Sequence, residues 1–199
     1  MDPNVILNRV MRLARLDTTV FDEVRDDQQE LIPAVIVAVI SAFLAGLGAF
    51  MWSQVVPASA PDSAFVNQFI LGSIFLVIMY GVAGLVIYVV LAQLYKVQAD
   101  LQAIIRTMGY ASIPLAASVL MFIPIIWPVF SLVPLALLFV MMIYAVQSAT
   151  GAESNQVVIS VLIGFAVMVL ILGFIAIQTD VVKAPIGAGQ FGILFDLNN

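Results

Sequence analysis

The stretch LIPAVIVAVISAFLAGLGAFMWS, residues 31–53, decides the class of this protein. It contains no charged residue, and about 18 or more consecutive residues of this kind predict a helix that crosses a membrane. Uncharged tracts of similar or greater length recur at residues 63–95, 107–152 and 154–179. The sequence therefore predicts that most of the chain lies in a lipid bilayer.

Prolines and polar residues divide these tracts into five predicted spans. The spans are residues 31–53, 66–94, 108–125, 129–148 and 156–177. The third tract is long enough for two spans, and Pro124 and Pro128 mark the turn between them. A hairpin that enters and leaves on one face is the alternative for residues 108–148. The predicted fold class is all-α: an integral membrane helical bundle of five transmembrane helices with an N-terminal cytoplasmic amphipathic helix.

The distribution of basic residues orients this bundle, because Lys and Arg in short loops resist translocation. If the N-terminus is cytoplasmic, Lys183 is the only one of the seven basic residues that lies outside. We therefore expect a multi-pass protein of the plasma membrane. Residues 178–199 would then form a short extracytoplasmic tail.

Residues 1–30 form the predicted cytoplasmic segment, and their first half has an amphipathic pattern. At helical spacing Ile6, Val10 and Leu13 share one side, while Arg12 falls opposite. Such a helix can lie in the headgroup layer with its arginines toward anionic lipid, or it can pack on the bundle. The pattern alone leaves both interpretations open.

Residues 17–30, here called the acidic collar, contain six Asp or Glu residues and one Arg. At helical spacing Asp22, Asp26 and Glu30 would share a face that attracts a basic partner or a divalent cation. A solvated helix face is the simpler interpretation, since the spacing is not that of a calcium loop. The candidate residues for docking of a cytoplasmic protein are Asp17, Phe21, Asp22, Glu23, Asp26 and Asp27.

The residue inventory leaves little scope for catalysis. The chain has no Cys and no His, which excludes thiol nucleophiles, imidazole acid–base chemistry and ordinary zinc sites. The five predicted spans also contain no Asp, Glu, Lys or Arg, the residues that mark proton relays in membranes. We therefore expect no enzyme activity, no cofactor and no metal site. The net charge of -5 argues against a nucleic-acid partner.

Small residues in the predicted spans indicate close helix packing. They repeat every three or four residues, which allows two helix backbones to approach closely. This packing ridge consists of Ala34, Ala38, Ala42 and Gly46 in the first span, Gly81 and Gly84 in the second, and Ser160 and Gly164 in the fifth. It could join copies in a homo-oligomer, but internal packing is favoured because five spans offer many neighbours within one chain.

Two stretches of the sequence resemble a known family. Residues 104–114, IIRTMGYASIP, contain Gly109-Tyr110 followed by Pro114 at the entry to the third span, and residues 15–24, RLDTTVFDEV, precede the first span. This combination resembles the Yip family of multi-span proteins, named for interaction with Ypt/Rab GTPases, and most closely its prokaryotic branch. The resemblance covers roughly residues 5–175.

The resemblance implies a five-span bundle with a cytoplasmic N-terminus. For the eukaryotic members, the resemblance implies a role as vesicle-trafficking adaptors. The Asp-Leu-Tyr-Gly-Pro-type element that those members carry before the first span is absent here. We therefore expect a non-enzymatic membrane-organising adaptor that contacts the lipid bilayer and another membrane or cytoplasmic protein. Tyr110 would serve as a recognition residue, with Gly109 allowing close approach, or simply as an interfacial anchor. The alternative is a transporter or channel component for a small neutral or apolar solute, gated by kinks at Pro114 and Pro134.

Overall fold

The computed structural model describes residues 3–55 and 64–178, with side chains up to residue 174. These residues form helices and short connections. The predicted tail, apart from Gln178, lies outside the described residues.

The described residues contain seven α-helices. They are α1 Pro3–Ala14, α2 Val20–Asp26, α3 Leu31–Val55, α4 Gly72–Val89, α5 Leu101–Ala111, α6 Trp127–Thr150 and α7 Ser154–Gln178. Two 3-10 helices, Gln28–Glu30 and Ile113–Phe122, precede α3 and follow α5. Two π-helices, Phe65–Leu71 and Val90–Leu94, extend α4 at its two ends.

Five of the resulting helical runs are long and apolar enough to cross a membrane, which confirms the predicted fold class. They are Gln28–Val55, Phe65–Leu94, Leu101–Phe122, Trp127–Thr150 and Ser154–Phe174. The first and third begin earlier than predicted and therefore include Glu30 and Arg106 near their ends. Glu30 and Arg106 thus belong to helical runs of membrane length, although both lie just outside the spans predicted from the sequence.

The third run changes its winding where the proline interrupts the helix. Pro114 lies in the first turn of the 3-10 helix, where its missing N–H costs no hydrogen bond. The amide of Ser112 turns back to the carbonyl of Gly109, and the hydroxyl of Tyr80 in α4 donates to the carbonyl of Met108 at 2.7 Å. The change of winding is thus compensated by a neighbouring helix. The 3-10 helix itself packs between α3 and α6.

The end of the bundle where α1, α2 and the start of α3 lie is here called the charged end. Beneath it, Leu13 of α1 and Val20, Phe21 and Val24 of α2 pack with Tyr110 of α5. All five side chains are buried. The amphipathic pattern of α1 is therefore used to pack this helix on the bundle.

The packing ridge faces the interior of the chain at most positions that the structure describes. Ala34 of the ridge packs against Gly109 of α5, where an added Cβ would lie 2.5 Å from the carbonyl oxygen of Ala34, and a Cβ added to Gly164 would lie 2.6 Å from Ile87. Ala42 and Gly46 of α3 are also buried. These small residues bring α3, α5, α4 and α7 together within one copy.

Replacing Gly109 with Ala should destabilise the protein by about 1–3 kcal/mol, because the added methyl overlaps the backbone of Ala34. Thermal unfolding of the purified protein in detergent would measure the loss. Gly81→Ala is the matched control, because a Cβ added there meets nothing within 4 Å. Alanine also favours the helical backbone more than glycine does, so this variant should not be destabilised. Equal melting temperatures for the two variants would contradict this account of the α3–α5 contact.

Candidate functional site

Tyr110, the central residue of the family-like motif, lies in the interior of the charged end. Its side chain is fully buried, and its hydroxyl donates a 2.7 Å hydrogen bond to Oε2 of Glu30. Gly109 lets α5 approach Ala34 of α3, so it serves packing within the chain. The expectation that Gly109 and Tyr110 form an exposed recognition site is therefore wrong. Neither residue is an interfacial anchor.

The carboxylate of Glu30 also holds α1 on the bundle. Its Oε1 forms an ion pair with the guanidinium of Arg9, whose Nε lies 3.7 Å from a carboxylate oxygen of Glu23. Burial alone would lower the pKa of Arg9, but the Glu30 carboxylate and the Tyr110 hydroxyl together outweigh it and raise that pKa. Arg9, Glu30 and Tyr110 thus form one buried network that joins α1, the start of α3 and α5.

Arg12 binds the acidic collar rather than free lipid. Its guanidinium donates to Asp17 at 2.8 Å, to Glu23 at 2.7 Å and to the hydroxyl of Thr19 at 3.0 Å. Hydrogen bonds from the Thr19 hydroxyl and from Arg12 lower the pKa of Asp17. Of the two interpretations of α1, the one that turns its arginines toward anionic lipid gains no support at Arg9 and Arg12, which are paired within the chain.

A second set of contacts ties α2 to α5 and α6. Arg25 donates to both oxygens of Asp26, which lowers the pKa of that carboxyl, and to the carbonyl of Ser148 at 3.0 Å. The Ser148 hydroxyl donates to Asp22 at 2.7 Å. Arg106 of α5, with its side chain only 5% exposed, donates to the carbonyl of Arg25 at 2.6 Å. The collar is thus fastened to the bundle on two sides.

The predicted docking residues of the collar fall into two groups. Phe21 is part of the core, Asp17 and Glu23 bind arginines, and the Asp27 carboxylate accepts from the amide of Gln29 as a helix cap. The side chains of Asp22 and Asp26 are the more accessible ones, at 61% and 69% exposure.

Asp22, Asp26 and Glu30 do not share one helix face, because α2 ends at Asp26 and Asp27 is extended before the next turn begins. The expectation of a common acidic face is therefore wrong. Within residues 3–55 and 64–178, no group of three or more His, Cys, Asp or Glu residues is placed to hold a metal ion.

Two apolar cavities adjoin the site. A groove of about 510 Å³, here called the α1 groove, runs between α1, α3 and the 3-10 helix. Its walls include Ile6, Leu7 and Val10 of α1, Ile36, Ile40 and Leu44 of α3, and Ile113. A smaller cleft of about 170 Å³ lies between α3, α4 and α5, where Ala38, Gly81, Gly84 and Gly109 of the ridge and motif form part of its wall.

The network of Arg9 and Glu30 is not predicted by the sequence pattern. The pattern of the collar indicates a solvated face for Glu30, although this is the last acidic residue before the apolar run begins at Leu31. The charge distribution places Arg106 on the cytoplasmic side, before the third predicted span, despite the adjacent Ile104 and Ile105. An acidic or basic residue directly beside a span was the available signal, but its partners lie far away in the chain.

Tyr110→Phe should lower the free energy of unfolding by about 1–3 kcal/mol, because it leaves one oxygen of the buried Glu30 carboxylate without its donor. Chemical or thermal unfolding in detergent would measure the change. Tyr144→Phe removes the same hydroxyl from an exposed tyrosine and should be nearly neutral. A Tyr110→Phe protein as stable as the Tyr144→Phe protein would show that the network contributes nothing.

Comparison with known proteins supports the resemblance. A family model described as the Yip1 domain matches residues 17–177, which include the collar, the motif and the five membrane-length helices. No curated protein and no solved structure matches the chain. Because the family model covers most of the sequence, the chain belongs to the Yip1 domain family of multi-pass membrane proteins.

Proposed function

We propose that this protein is a non-enzymatic membrane-organising adaptor of the plasma membrane, with its charged end in the cytoplasm. In this role α1 acts on the cytoplasmic leaflet, and the accessible acids of the collar bind a basic segment of a protein partner. The placement of α1 over an apolar groove at membrane depth supports the proposal most directly.

The α1 groove lies beside the hydrocarbon. One wall of the groove is formed by residues 36–44 of α3. At 1.5 Å per residue, this stretch lies between about 8 Å and about 20 Å from the start of the helix at Leu31. Ile36 and Ile40 are about half exposed on the outer surface of α3, where lipid chains lie. Leu7 on the flank of α1 is 56% exposed, so α1 presents apolar surface to the same lipid. In the proposed role, this groove would receive an acyl chain of the cytoplasmic leaflet.

An interfacial helix of this kind displaces lipid in one leaflet only. The Arg9–Glu30 ion pair joins α1 to the start of α3, so that in the proposed role the helix and the spans act on the membrane together. Helices inserted in this way bind in a manner that depends on curvature and lipid composition. The protein would therefore favour or generate a curved membrane, in which the leaflet at the charged end has the larger area.

The transporter alternative draws less support from the two cavities. Both the α1 groove and the smaller cleft are lined mainly by aliphatic side chains. A solute pathway would be expected to carry polar groups that converge on the ligand. Pro134 is buried within α6, and Pro114 begins a 3-10 helix that packs against α3 and α6. Both prolines thus lie in packed helices.

Leu7→Asp should abolish the effect on membrane shape. It places a carboxylate in the wall of the α1 groove, and a charged group there opposes the insertion of α1 among lipid chains. The test uses vesicles that carry the protein with its charged end outside, selected through an N-terminal affinity tag. Electron cryomicroscopy then gives the distribution of vesicle diameters, which should be smaller for the unmodified protein than for Leu7→Asp.

Asn8→Asp is the matched control for this experiment. It introduces the same charge one residue further along, at an exposed position of α1. This variant should behave like the unmodified protein. If Leu7→Asp vesicles also match those of the unmodified protein, the α1 groove has no part in membrane organisation.

Neutralising Asp22 and Asp26 together should release a basic partner, because these are the two most exposed carboxylates of α2. The test is recovery of co-purifying protein from native membranes with Asp22→Asn/Asp26→Asn, at low and at high salt. Asp100→Asn/Glu153→Gln makes the same charge change elsewhere on the protein and should retain the partner. Recovery that is equal for both double variants would remove the collar from the docking surface.

A further inference from the structure

A fully buried amide lies in the half of the bundle away from the charged end. Gln68 belongs to the π-helix Phe65–Leu71, and its side chain is 0% exposed. Within the part of the chain that the structure describes, neither its Nε2 nor its Oε1 has a hydrogen-bond partner. Native proteins rarely leave such groups unpaired, because an amide loses its water on burial and gains nothing in exchange.

A second unpaired polar group lies beside it. Ser73 is also 0% exposed, and its Oγ has no hydrogen-bond partner among the described residues. Both residues adjoin Gly46 of α3, Ser73 through its side chain and Gln68 through its backbone: an added Cβ would overlap the hydroxyl of Ser73 and lie 3.3 Å from the backbone carbonyl oxygen of Gln68. Two residues with orphan polar side chains therefore pack against one glycine of the neighbouring helix.

The position in the membrane makes this arrangement significant. Gly46 precedes the end of α3 at Val55 by nine residues, which is about 14 Å at 1.5 Å per residue. At this depth lipid supplies no hydrogen-bond partners, and irregular winding is tolerated where it is enclosed by protein or borders water. The π-helix that carries Gln68 is such an irregular segment, and π segments are frequent at functional sites.

We propose that Gln68 and Ser73 bind water inside the bundle, beside Gly46. The amide supplies donors and an acceptor and the hydroxyl supplies one donor and further acceptors, as a buried water requires. Both side chains are uncharged, so their chemistry suits a small neutral molecule rather than an ion. This hydration site involves neither the α1 groove nor the collar, and it stands independently of the adaptor function.

Hydroxyl-radical labelling tests the site in the full-length protein in lipid nanodiscs. A brief X-ray pulse splits bound water, and the radicals modify the nearest side chains, which mass spectrometry then identifies. Phe69 is the reporter, because it directly follows Gln68 and its ring contacts Phe43 of α3, three residues before Gly46. Phe139 and Phe165 are the internal controls, since they form a partly buried aromatic pair between α6 and α7. Phe69 should be labelled faster than both.

Two variants assign the effect to the proposed residues. Gln68→Met replaces the amide by an apolar chain of similar size and should reduce the labelling of Phe69 to the level of the controls. Ser73→Ala is a smaller change with the same expected direction, and it serves if Gln68→Met does not fold. Ser118→Ala is the control, because it removes another unpaired buried hydroxyl, in the segment beside Gly48. This variant should leave the labelling rate of Phe69 unchanged. Labelling of Phe69 no faster than the controls, or unaffected in both Gln68→Met and Ser73→Ala, would overturn the proposal.

Discussion

The buried carboxylate of Glu30 is the constraint on which the charged end of this protein depends. A carboxylate at the start of a membrane-length helix is costly to remove from water unless a cation and hydrogen-bond donors replace the solvent. Arg9 supplies the cation and Tyr110 supplies a donor. Three segments that are far apart in sequence must therefore meet at one point, and α1 is held on the bundle as a result.

This network also decides which charges remain available to other molecules. Arg9 and Arg12 are occupied by Glu30, Asp17 and Glu23, so α1 presents little unpaired positive charge to lipid. Its apolar flank instead adjoins a groove beside α3. Lipid engagement by this helix is therefore expected to depend more on acyl chains than on headgroup charge.

The bundle combines regular packing with local irregularity. Small residues such as Gly109 and Gly164 let the helix backbones approach closely, whereas the π-helices and the 3-10 helix depart from α-helical winding. Such departures leave polar groups that a neighbour must satisfy, as Tyr80 does for the carbonyl of Met108. Beside Gly46, no neighbour among the described residues supplies such a partner for the side chains of Gln68 and Ser73.

The sequence by itself determined the all-helical membrane class, the number of membrane-length helices and the amphipathic character of α1. Each span must exclude charge from the hydrocarbon on its own. The requirement is therefore visible in the local sequence, as in the uncharged residues 31–53. Only the tertiary structure decided which charged and aromatic residues are free. Glu30 and Asp22 are both collar acids in the sequence, yet one is buried and the other exposed. The difference arises from a partner 80 residues away, Tyr110, and no local pattern records contacts of that range.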